Sequence, residues 1–481
     1  MNTDTRGSTA SHHLTRIIAT LGPASDSDDG VLTLIQAGTN IFRLNFSHGT
    51  YEQHAASVER IRRISALEGK ITAILQDIPG PKLRIGEFAE ETVSVSEGQE
   101  FTLWVGTDNK GDSSGVGFER EGWHSSIKPG ERVLLGDGNM ELNVVSVSDD
   151  SILTTVGNSG EIRSRQGLNF PDTDLELGAV TDEDWDHIAF GLELGVDAIA
   201  LSFVQGPEDL IEVRRFIQRK GDGPLLIAKI ETPKAVENIL EIIEQSDGVM
   251  VARGDLGITL PIERVPVIQK YLIQLAREQR RFVITATQML ESMTQAARPT
   301  RAEATDVANA VYDGTDAVML SGETAIGRHP STVVETMRRI LTATEPSVKF
   351  PSMERIDESV DSAVSRAVKQ LADELEAKAI LAPISSGSTA LRLSRQRMGV
   401  PILVGTLNDT LARRMVFYQS VFPMIVDPEL GLKKTSECVI QNALDAGYIT
   451  NGDRVLLSGG LPVEKAGTTN FIRALTVGDE I

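Results

Sequence analysis

The chain contains eight short runs rich in apolar and β-branched residues, and a helical pattern follows nearly every one of them. Runs that are apolar at nearly every position are typical of strands buried on both faces of a parallel sheet. Eight such strands alternating with helices predict a closed (β/α)₈ barrel. The runs are RIIATLG (16–22), NIFRLNF (40–46), TAILQDI (72–78), DAIALSF (197–203), LLIAKIE (225–231), GVMVARGD (248–255), FVITATQ (282–288) and DAVMLSG (316–322).

Three of the intervening helices have clear limits in the sequence. Proline is tolerated in a first helical turn, so Pro207 and Pro233 indicate helix starts. The predicted helices are Pro207–Arg219, Pro233–Ser246 and Ile262–Arg280.

One connection, residues 86–168, departs from this alternation. It is rich in Gly, Ser, Thr and Val in short alternating segments, with almost no helical periodicity. This pattern predicts a small inserted β-barrel domain. Because the insertion leaves the carboxyl end of the third strand, we expect it to act as a lid over the catalytic face. The barrel then comprises residues 14–85 and 169–345.

A Pro-containing linker, EPSVKFPSMER, precedes a second α/β unit at residues 350–481. The pattern of this unit predicts a separate C-terminal α/β domain. The predicted elements are a helix over Glu358–Leu375, a strand over Ala379–Pro383, the loop SSGST (385–389), a helix over Ala390–Arg397 and a strand over Pro401–Gly405. Residues 1–13 are predicted to be a disordered tail. The predicted fold class is therefore α/β.

Charge and apolar content exclude several classes of function. The net charge of -21 argues against non-specific nucleic-acid binding, which needs a basic face. No apolar run reaches the roughly 18 residues that a membrane-spanning helix needs. With one cysteine, Cys438, the chain cannot form an internal disulfide, and its polar start lacks a signal-peptide core. These features predict a cytoplasmic protein with neither nucleic acid nor membrane as a partner.

Polar residues cluster at the carboxyl ends of the eight runs, where such a barrel has its catalytic face. Glu231 and Asp255 follow consecutive runs, so both carboxylates can reach one Mg²⁺. Lys229 lies in an apolar run and needs an anion, and Gly254 allows close approach of the backbone to a carboxylate. Cations, carboxylates and hydroxyls together suit phosphoryl transfer. The whole set is Asn45, Ser47, His48, Asp77, Arg84, Ser202, Lys229, Glu231, Arg253, Asp255, Thr287, Ser321 and Glu323.

Seven motifs resemble those of pyruvate kinases, in the same order and at similar spacing. They are ATLGPAS (19–25), RLNFSHG (43–49), GPKLRIG (80–86), AKIET (228–232), MVARGDLG (250–257), ATQMLESM (286–293) and RPTRAEATDVANAVYDGTDAVMLSGETAIG (298–327). The resemblance covers the barrel, the insertion and the C-terminal effector domain. It implies transfer of the phosphoryl group of phosphoenolpyruvate to ADP, giving pyruvate and ATP.

The resemblance also implies roles for individual residues. The divalent ion, Mg²⁺ or Mn²⁺, would bind Glu231 and Asp255. The residues implied in catalysis are Arg43, Arg84, Lys229 and Thr287, with Ser321 and Glu323 in the relay that protonates the enolate. Phosphoenolpyruvate would contact Arg43, Ser202, Lys229, Ala252, Gly254, Asp255 and Thr287. The nucleotide would lie beside Asn45, Phe46, Ser47, His48 and Arg84.

Lys82 resembles the K⁺-independent branch of the family. Relatives that depend on K⁺ usually carry Glu at this position, and commonly Thr where this sequence has Ile85. A tethered ammonium can replace the monovalent cation, so we expect Asn45, Ser47 and Asp77 to hold the Lys82 ammonium and K⁺ not to be required. The alternative is that Lys82 points to solvent.

The C-terminal domain offers a candidate effector site in the loop of Ser385, Ser386, Gly387, Ser388 and Thr389. A loop that enters a helix can bind phosphate through the first N–H groups. Ile384 and Ser385 stand where sugar-bisphosphate-regulated relatives tend to have Thr-Lys, so the ligand could be a sugar phosphate or AMP, and an ordinary capped helix start is the alternative. Gln166 stands where relatives usually carry a nucleotide-contacting Lys, for which Arg165 could compensate. The resemblance further implies a homotetramer.

Two other functions remain open at this stage. One is a Mg²⁺-dependent barrel lyase acting on phosphoenolpyruvate or an enolate, which would need neither lid nor effector domain. The other is a catalytically silent metabolite sensor, which loss of Lys229, Thr287 or a metal carboxylate would have favoured.

Overall fold

The structure, a computed structural model, describes residues 12–107, 110–118, 123–136, 138–173, 175, 178–350, 359–383, 387–426, 431–461 and 469–479. The chain begins with β1 Arg16–Thr20, α1 Asp28–Ala37, β2 Ile41–Asn45, α2 Tyr51–Leu67 and β3 Ala73–Ile78. His12 and His13 are part of the folded body, and His13 Nε2 lies 2.9 Å from Asn40 Oδ1. The predicted tail is therefore wrong for these two residues, and residues 1–11 lie outside the described part.

The insertion between β3 and the next barrel strand consists of strands and turns. Its strands are β4 Thr92–Val95, β5 Glu100–Val105, β6 Gly115–Phe118, β7 Arg132–Leu135, β8 Met140–Val147, β9 Ser151–Val156, β10 Gly160–Arg163 and β11 Leu168–Asn169. They form a six-stranded sheet of order β11-β7-β8-β9-β5-β6 and a two-stranded sheet of β10 and β4. A separate apolar core, with members from Ile85 to Phe170, holds these sheets together.

The second barrel segment alternates strands and helices again. Its strands are β12 Ala198–Leu201, β13 Leu225–Ile230, β14 Gly248–Ala252, β15 Phe282–Ala286 and β16 Ala317–Leu320. Its helices are α3 Asp182–Leu194, α4 Pro207–Gln218, α5 Pro233–Glu237, α6 Ile239–Gln245, α7 Arg253–Thr259, α8 Val265–Glu278, α9 Arg301–Asp313, α10 Gly322–Ala325 and α11 Pro330–Thr344. The predicted helix starts at Pro207 and Pro233 are confirmed.

Two predicted helices differ from the structure. The segment from Pro233 divides into α5 and α6 at Asn238, and the segment from Ile262 begins as a 3₁₀ turn before α8. Pro266 supplies no N–H to the start of α8, so a distinct first turn is accommodated there.

The eight strands close into one parallel barrel in the order β1-β16-β15-β14-β13-β12-β3-β2. The predicted (β/α)₈ barrel is therefore confirmed. Side chains alternate along each strand, so one set packs against the helices and the other fills the interior. Interior members such as Ile18 and Phe282 share an apolar cluster with Phe417 of the C-terminal unit, whose ring centroid lies 5.3 Å from that of Phe282.

The C-terminal unit is an α/β domain, as predicted. It consists of α12 Val360–Leu375, β17 Ala379–Ala382, α13 Ser388–Arg395, β18 Ile402–Thr406, α14 Asp409–Met415, β19 Val421–Ile425, α15 Gly431–Asp445, β20 Arg454–Gly459 and β21 Phe471–Thr476, in a sheet of order β19-β18-β17-β20-β21. Helix α13 begins at Ser388, two residues before the predicted start at Ala390, because Gly387 takes the left-handed conformation that precedes it. Within the described ranges, no helix has the length and apolar character needed to span a membrane.

Charged groups join the barrel to this domain at the amino ends of the strands. Arg397 forms hydrogen bonds with both oxygens of Asp316, at 3.0 and 2.8 Å, and both side chains are buried. The guanidinium of Arg16, also buried, donates to the carbonyls of Tyr418 and Val421. The C-terminal domain therefore contacts the face of the barrel opposite to the candidate site.

Candidate active site

Five polar side chains meet inside the carboxyl end of the barrel, because each occupies a strand position from which side chains point into the barrel. In β2, Ile41 belongs to the interior cluster, and Arg43 follows it at a spacing of two. The same spacing places the others after interior residues of β3, β12 and β13. The five residues are Arg43, Asp77, Ser202, Lys229 and Glu231.

Lys229 is the centre of this group. Its Nζ donates to Ser202 Oγ at 2.6 Å and lies 2.9 Å from Glu231 Oε1 and 3.2 Å from Asp77 Oδ1. The lysine side chain is 12% exposed, and the two carboxylates are 2% exposed or less. The ammonium therefore lies between two buried acids, with one face open to the barrel mouth.

Arg43 forms the second cationic position of the mouth. Its Nε donates to Asp77 Oδ2 at 2.7 Å, and its Nη1 donates to Thr20 Oγ1 at 3.1 Å. Asp77 thus binds Arg43 through one oxygen and Lys229 through the other. This shared carboxylate fixes both cations relative to each other.

The pKa shifts of the buried groups follow from this arrangement. Burial alone would lower the pKa of Lys229, but Asp77 and Glu231 outweigh it and raise that pKa above its ordinary value. Burial acts to raise the pKa of Asp77, but Lys229 and Arg43 hold it below its ordinary value. Burial raises the pKa of Glu231 above its ordinary value, because the nearby Asp255 adds to it and Lys229 only partly opposes it. The positive charge near Glu231 therefore only partly offsets the effect of burial on its carboxylate.

A divalent cation would remove this deficit. Glu231 Oε1 faces Lys229, its Oε2 accepts the Phe203 N–H at 2.8 Å, and Asp255 lies in the first turn of α7. In the described part of the chain, no group of three or more His, Cys, Asp or Glu is arranged to hold a metal. Two carboxylates fit Mg²⁺ or Mn²⁺ that takes its other ligands from substrate and water.

Thr287 lies in a strained loop after β15. Its φ is 68° and that of Gln288 is 53°, and a positive φ is unusual for a β-branched residue. The Gly254 N–H donates to Thr287 Oγ1 at 2.8 Å, which ties this loop to the RGDLG segment. The structure thus brings Ala252, Gly254, Asp255 and Thr287 to one side of the mouth.

Both oxygens of the Glu323 carboxylate accept hydrogen bonds from backbone N–H groups. It is fully buried, its Oε1 accepts the Leu290 N–H at 3.1 Å, and its Oε2 accepts the Ser321 N–H at 2.7 Å. With both oxygens accepting from the backbone, Glu323 connects the segments after β15 and β16. The predicted place of Glu323 and of the Ser321 hydroxyl in a proton relay stays a prediction.

The segment Asn45–His48 forms another edge of the mouth. Asn45 Oδ1 accepts the Ser47 N–H at 3.2 Å, and the side chains of Ser47 and His48 are exposed. Phe46 is buried instead and stacks on His54 with ring centroids 4.0 Å apart. The Phe46 ring therefore packs in the core, and the place of Phe46 beside the nucleotide stays a prediction.

A cleft of about 670 Å³ separates the insertion from the barrel. Lys82 and Arg84, in the segment that leads from β3 into the insertion, line it together with Gln166 of the insertion, and Asp255 and Ile258 line it from the opposite side. Arg84 is exposed and donates to the Arg165 carbonyl at 3.0 Å. The insertion therefore stands over the Asp255 side of the mouth.

Lys82 is not in the pocket predicted for it. The turn at Gly80, with φ 68°, and Pro81 direct the chain toward the insertion, so that Lys82 is exposed on the cleft wall. Both oxygens of Asp77 are already bound by Arg43 and Lys229. The structure therefore does not bring the Lys82 ammonium to Asp77.

The compensation expected for Gln166 is also absent from this conformation. The Gln166 Oε1 accepts the Arg163 N–H at 3.2 Å, and the Arg165 guanidinium pairs with Glu87 at 2.5 Å. A nucleotide contact by Arg165 would require this exposed pair to open.

The candidate effector loop is described only in part. Ser385 and Ser386 lie outside the described residues, whereas Ser388 and Thr389 form the first turn of α13 and Gly387 precedes them. Thr389 Oγ1 lies 2.9 Å from Thr469 Oγ1.

Comparisons with known proteins identify the family. The family model for the pyruvate kinase barrel domain matches residues 12–334, and that for the pyruvate kinase alpha/beta domain matches residues 362–475. The chain belongs to the pyruvate kinase family. It is 39% identical over 479 residues to a pyruvate kinase of Staphylococcus saprophyticus, covering 97% of this chain and 81% of the relative. It is 37% identical over 469 residues to a pyruvate kinase of Clostridium acetobutylicum, covering 96% of this chain and 99% of the relative.

As a pyruvate kinase, the protein is a glycolytic phosphotransferase acting on phosphoenolpyruvate and ADP. Neither the barrel lyase nor the silent sensor is favoured, because the match to pyruvate kinases extends over most of the chain.

Sequence reasoning missed three supporting residues of this site. Thr20 binds Arg43, Phe203 presents its N–H to Glu231 with φ 55°, and Asp306 binds Arg253. Thr20 could have been found, since it follows Ile18 at the inward spacing of β1. The other two depend on contacts between distant segments that no spacing indicates.

Proposed function

We propose that Lys229, Arg43 and Arg84 surround the transferring phosphoryl group and that Thr287 donates the proton to the enolate. The observation that supports this most is the position of Lys229, whose ammonium lies between Asp77 and Glu231 with one face toward the mouth. A fixed cation in a poorly solvated site stabilises developing negative charge at little reorganisation cost. Lys229 and Arg43 share Asp77, so both charges are held in place before substrate arrives.

Glu231 and Asp255 would hold Mg²⁺ or Mn²⁺. When bound, such an ion offsets charge on phosphoryl and enolate oxygens. The Gly254 segment and Ser202 would then orient phosphoenolpyruvate, with Ala252 and Asp255 at the carboxylate end. Of these, Ser202 Oγ is held by a hydrogen bond to the Ile78 carbonyl at 2.7 Å.

Thr287 is suited to proton donation because its Oγ1 accepts the Gly254 N–H. An oxygen that accepts from a backbone N–H directs its own proton elsewhere. In this proposal the hydroxyl proton of Thr287 moves to the methylene carbon of enolpyruvate, giving the methyl group of pyruvate. Ser321 would pass a proton back to Thr287.

The nucleotide would lie between Asn45–His48 and the insertion. The exposed Ser47 and His48 and the backbone of Phe46 are its proposed contacts on the barrel, and Arg84 is its contact on the insertion. Closure of the insertion over the mouth would exclude water from the transferring group.

We further propose that the enzyme needs no K⁺. Lys82 lines the cleft beside Arg84, so closure of the insertion would bring its ammonium toward the bound phosphates. This differs from the Asn45, Ser47 and Asp77 pocket predicted from the sequence, yet it supplies the same charge.

Assembly, effector and location are proposed from the family likeness. The proposed homotetramer would cover exposed apolar side chains near α8, namely Ile262, Val267 and Tyr271. The loop at 385–389 would bind a sugar phosphate or AMP at the start of α13, and the enzyme would act in the cytoplasm. Light scattering after size exclusion tests the tetramer, and activation by these phosphates tests the effector.

The decisive experiment is a lactate-dehydrogenase-coupled assay with phosphoenolpyruvate, ADP and Mg²⁺, with and without K⁺ at matched ionic strength. Turnover in both supports the reaction and K⁺ independence. Turnover only with K⁺ refutes the proposed role of Lys82. No turnover in either, even with sugar phosphates or AMP, refutes the proposed set of catalytic residues.

A further inference from the structure

Arg253 forms a clamp on the strained loop that carries Thr287. Its Nη2 donates to the Thr287 carbonyl at 2.7 Å and contacts Met289 Sδ, and its Nε donates to the Ala286 carbonyl at 3.2 Å. Its Nη1 binds both oxygens of Asp306 on α9, at 2.8 and 2.6 Å. All three nitrogens of the guanidinium are therefore engaged within the protein, which makes Arg253 a supporting group and not a ligand for substrate.

The loop needs such support. Two consecutive non-glycine residues with positive φ, Thr287 and Gln288, are strained and persist only where the surroundings enforce this backbone conformation. The Thr287 carbonyl lies in the peptide plane between these two residues, so a donor that fixes this carbonyl also fixes the backbone from which the Thr287 side chain projects. The Gly254 N–H then fixes the hydroxyl itself.

The geometry points to the Asp306–Arg253 pair as a positioning device for the proton-transfer step, with Asp306 acting through Arg253 on the orientation of the Thr287 hydroxyl. Asp306 is anchored on a long helix and side-chain exposure of Arg253 is only 13%. Arg253 also directly precedes Gly254 and Asp255, so one side chain connects the phosphoenolpyruvate segment to the proton-donor loop. The inference rests on the proposed role of Thr287.

Asp306→Ala tests this without altering a group at the reaction centre. The readout is exchange of pyruvate methyl protons with D₂O, followed by ¹H NMR with Mg²⁺ and ATP, because this exchange reverses the protonation step alone. We expect exchange to fall about tenfold or more, since small misplacement of a reacting group has large effects. The KM for phosphoenolpyruvate should change less than about twofold, because binding contacts remain.

Two variants serve as matched controls. Asp306→Glu keeps a carboxylate for Arg253 and should restore much of the exchange. Asp247→Ala removes the partner of Arg214, with which Asp247 pairs at 3.0 Å before β14, at the opposite end of the barrel. The Asp247 side chain is 25% exposed, against 34% for Asp306. It should lower thermal stability without a selective loss of exchange.

Two results would overturn the clamp. The first is unchanged proton exchange in Asp306→Ala. The second is an equal fall of proton exchange and of ATP formation in Asp306→Ala, which is the non-selective pattern expected of the control Asp247→Ala. Thr287→Val separates this inference from the proposed function. Exchange that survives Thr287→Val refutes Thr287 as donor, whereas exchange lost in Thr287→Val but intact in Asp306→Ala refutes the clamp alone.

Discussion

Replacement of Lys229 by methionine removes the central charge of the mouth while nearly keeping the length of the side chain. The structure assigns this ammonium three contacts, to Ser202 Oγ at 2.6 Å, Glu231 Oε1 at 2.9 Å and Asp77 Oδ1 at 3.2 Å. One preorganised donor at a developing charge contributes about 3–4 kcal/mol to the transition state. We therefore expect kcat of Lys229→Met to fall about 10²–10³-fold.

The same substitution has a cost in folding that the geometry also defines. Asp77 retains Arg43, but Glu231, 1% exposed, loses its nearest cation. Breaking a buried pair by removal of one partner costs about 3–5 kcal/mol. Burial already raises the pKa of Glu231, and loss of Lys229 would raise it further, so Glu231 protonates more readily in the folded variant than in the unfolded chain.

The sign of the pH dependence follows from that difference. A carboxyl whose pKa is higher in the folded state destabilises the fold only where it must be ionised. The stability of Lys229→Met should therefore be best preserved below the unfolded value of 4.5 and fall as pH rises through the raised pKa of Glu231. Denaturant unfolding at pH 5 and pH 8 measures this difference.

Activity and stability are separated by a second substitution. Glu231→Gln in the Lys229→Met background should recover stability at pH 8 but no turnover, because the buried charge is gone and the Lys229 ammonium, to which we assign the catalytic charge, is still missing. Lys433→Met is the control, since both members of its ion pair with Glu437 are exposed and such pairs contribute about 0–1 kcal/mol. Near-normal turnover of Lys229→Met in the coupled assay would refute the reasoning.

Three further predictions concern other parts of the molecule. Burial lowers the pKa of His13 to about 4, so the unfolding free energy should decline by about 3 kcal/mol as pH falls from 6.5 to about 4. Denaturant titrations of His13→Asn should lack this decline, and a variant with the same pH profile as the unchanged protein would contradict the prediction. Arg397→Met leaves Asp316 buried without its partner and should lower the unfolding free energy by about 3–5 kcal/mol in denaturant unfolding; a loss below about 1 kcal/mol would show that the pair is dispensable. Lys82→Glu should make turnover dependent on K⁺ in the coupled assay, whereas Lys110→Glu should not, because Lys110 lines a neighbouring pocket with Lys82 but does not line the cleft that faces Asp255. Equal behaviour of the two variants would refute the role of Lys82.

The barrel and part of its site were predictable because they depend on local periodicity. Eight apolar runs fix eight buried strands, and the two-residue alternation then places Arg43, Asp77, Lys229 and Glu231 on the inner face of the mouth. Once these residues lie together at the mouth, the two cations and the two carboxylates pair with one another.

Other side-chain contacts could not be predicted, because they depend on packing between distant segments. The Phe46 ring stacks on His54, and the Glu323 carboxylate accepts N–H groups from two loops. The backbone turn after β3 directs Lys82 to the insertion, which its spacing from Asp77 could not indicate. A polar residue at a strand end is as well suited to hold a loop as to bind a substrate.

Strand β1 runs from the C-terminal domain to the carboxyl-end mouth of the barrel. At its start, Arg16 donates to the Tyr418 carbonyl at 3.1 Å and lies over the Phe422 ring of the C-terminal domain. At its end, Thr20 accepts a hydrogen bond from Arg43 at the catalytic mouth, about 13 Å away at roughly 3.3 Å per residue. Ladder bonds to β2 and β16 hold this strand on both sides, and the interior beside it is closely packed. We therefore expect any effect of a ligand on the C-terminal domain to reach Arg43 through displacement of the barrel wall and not through a single side chain.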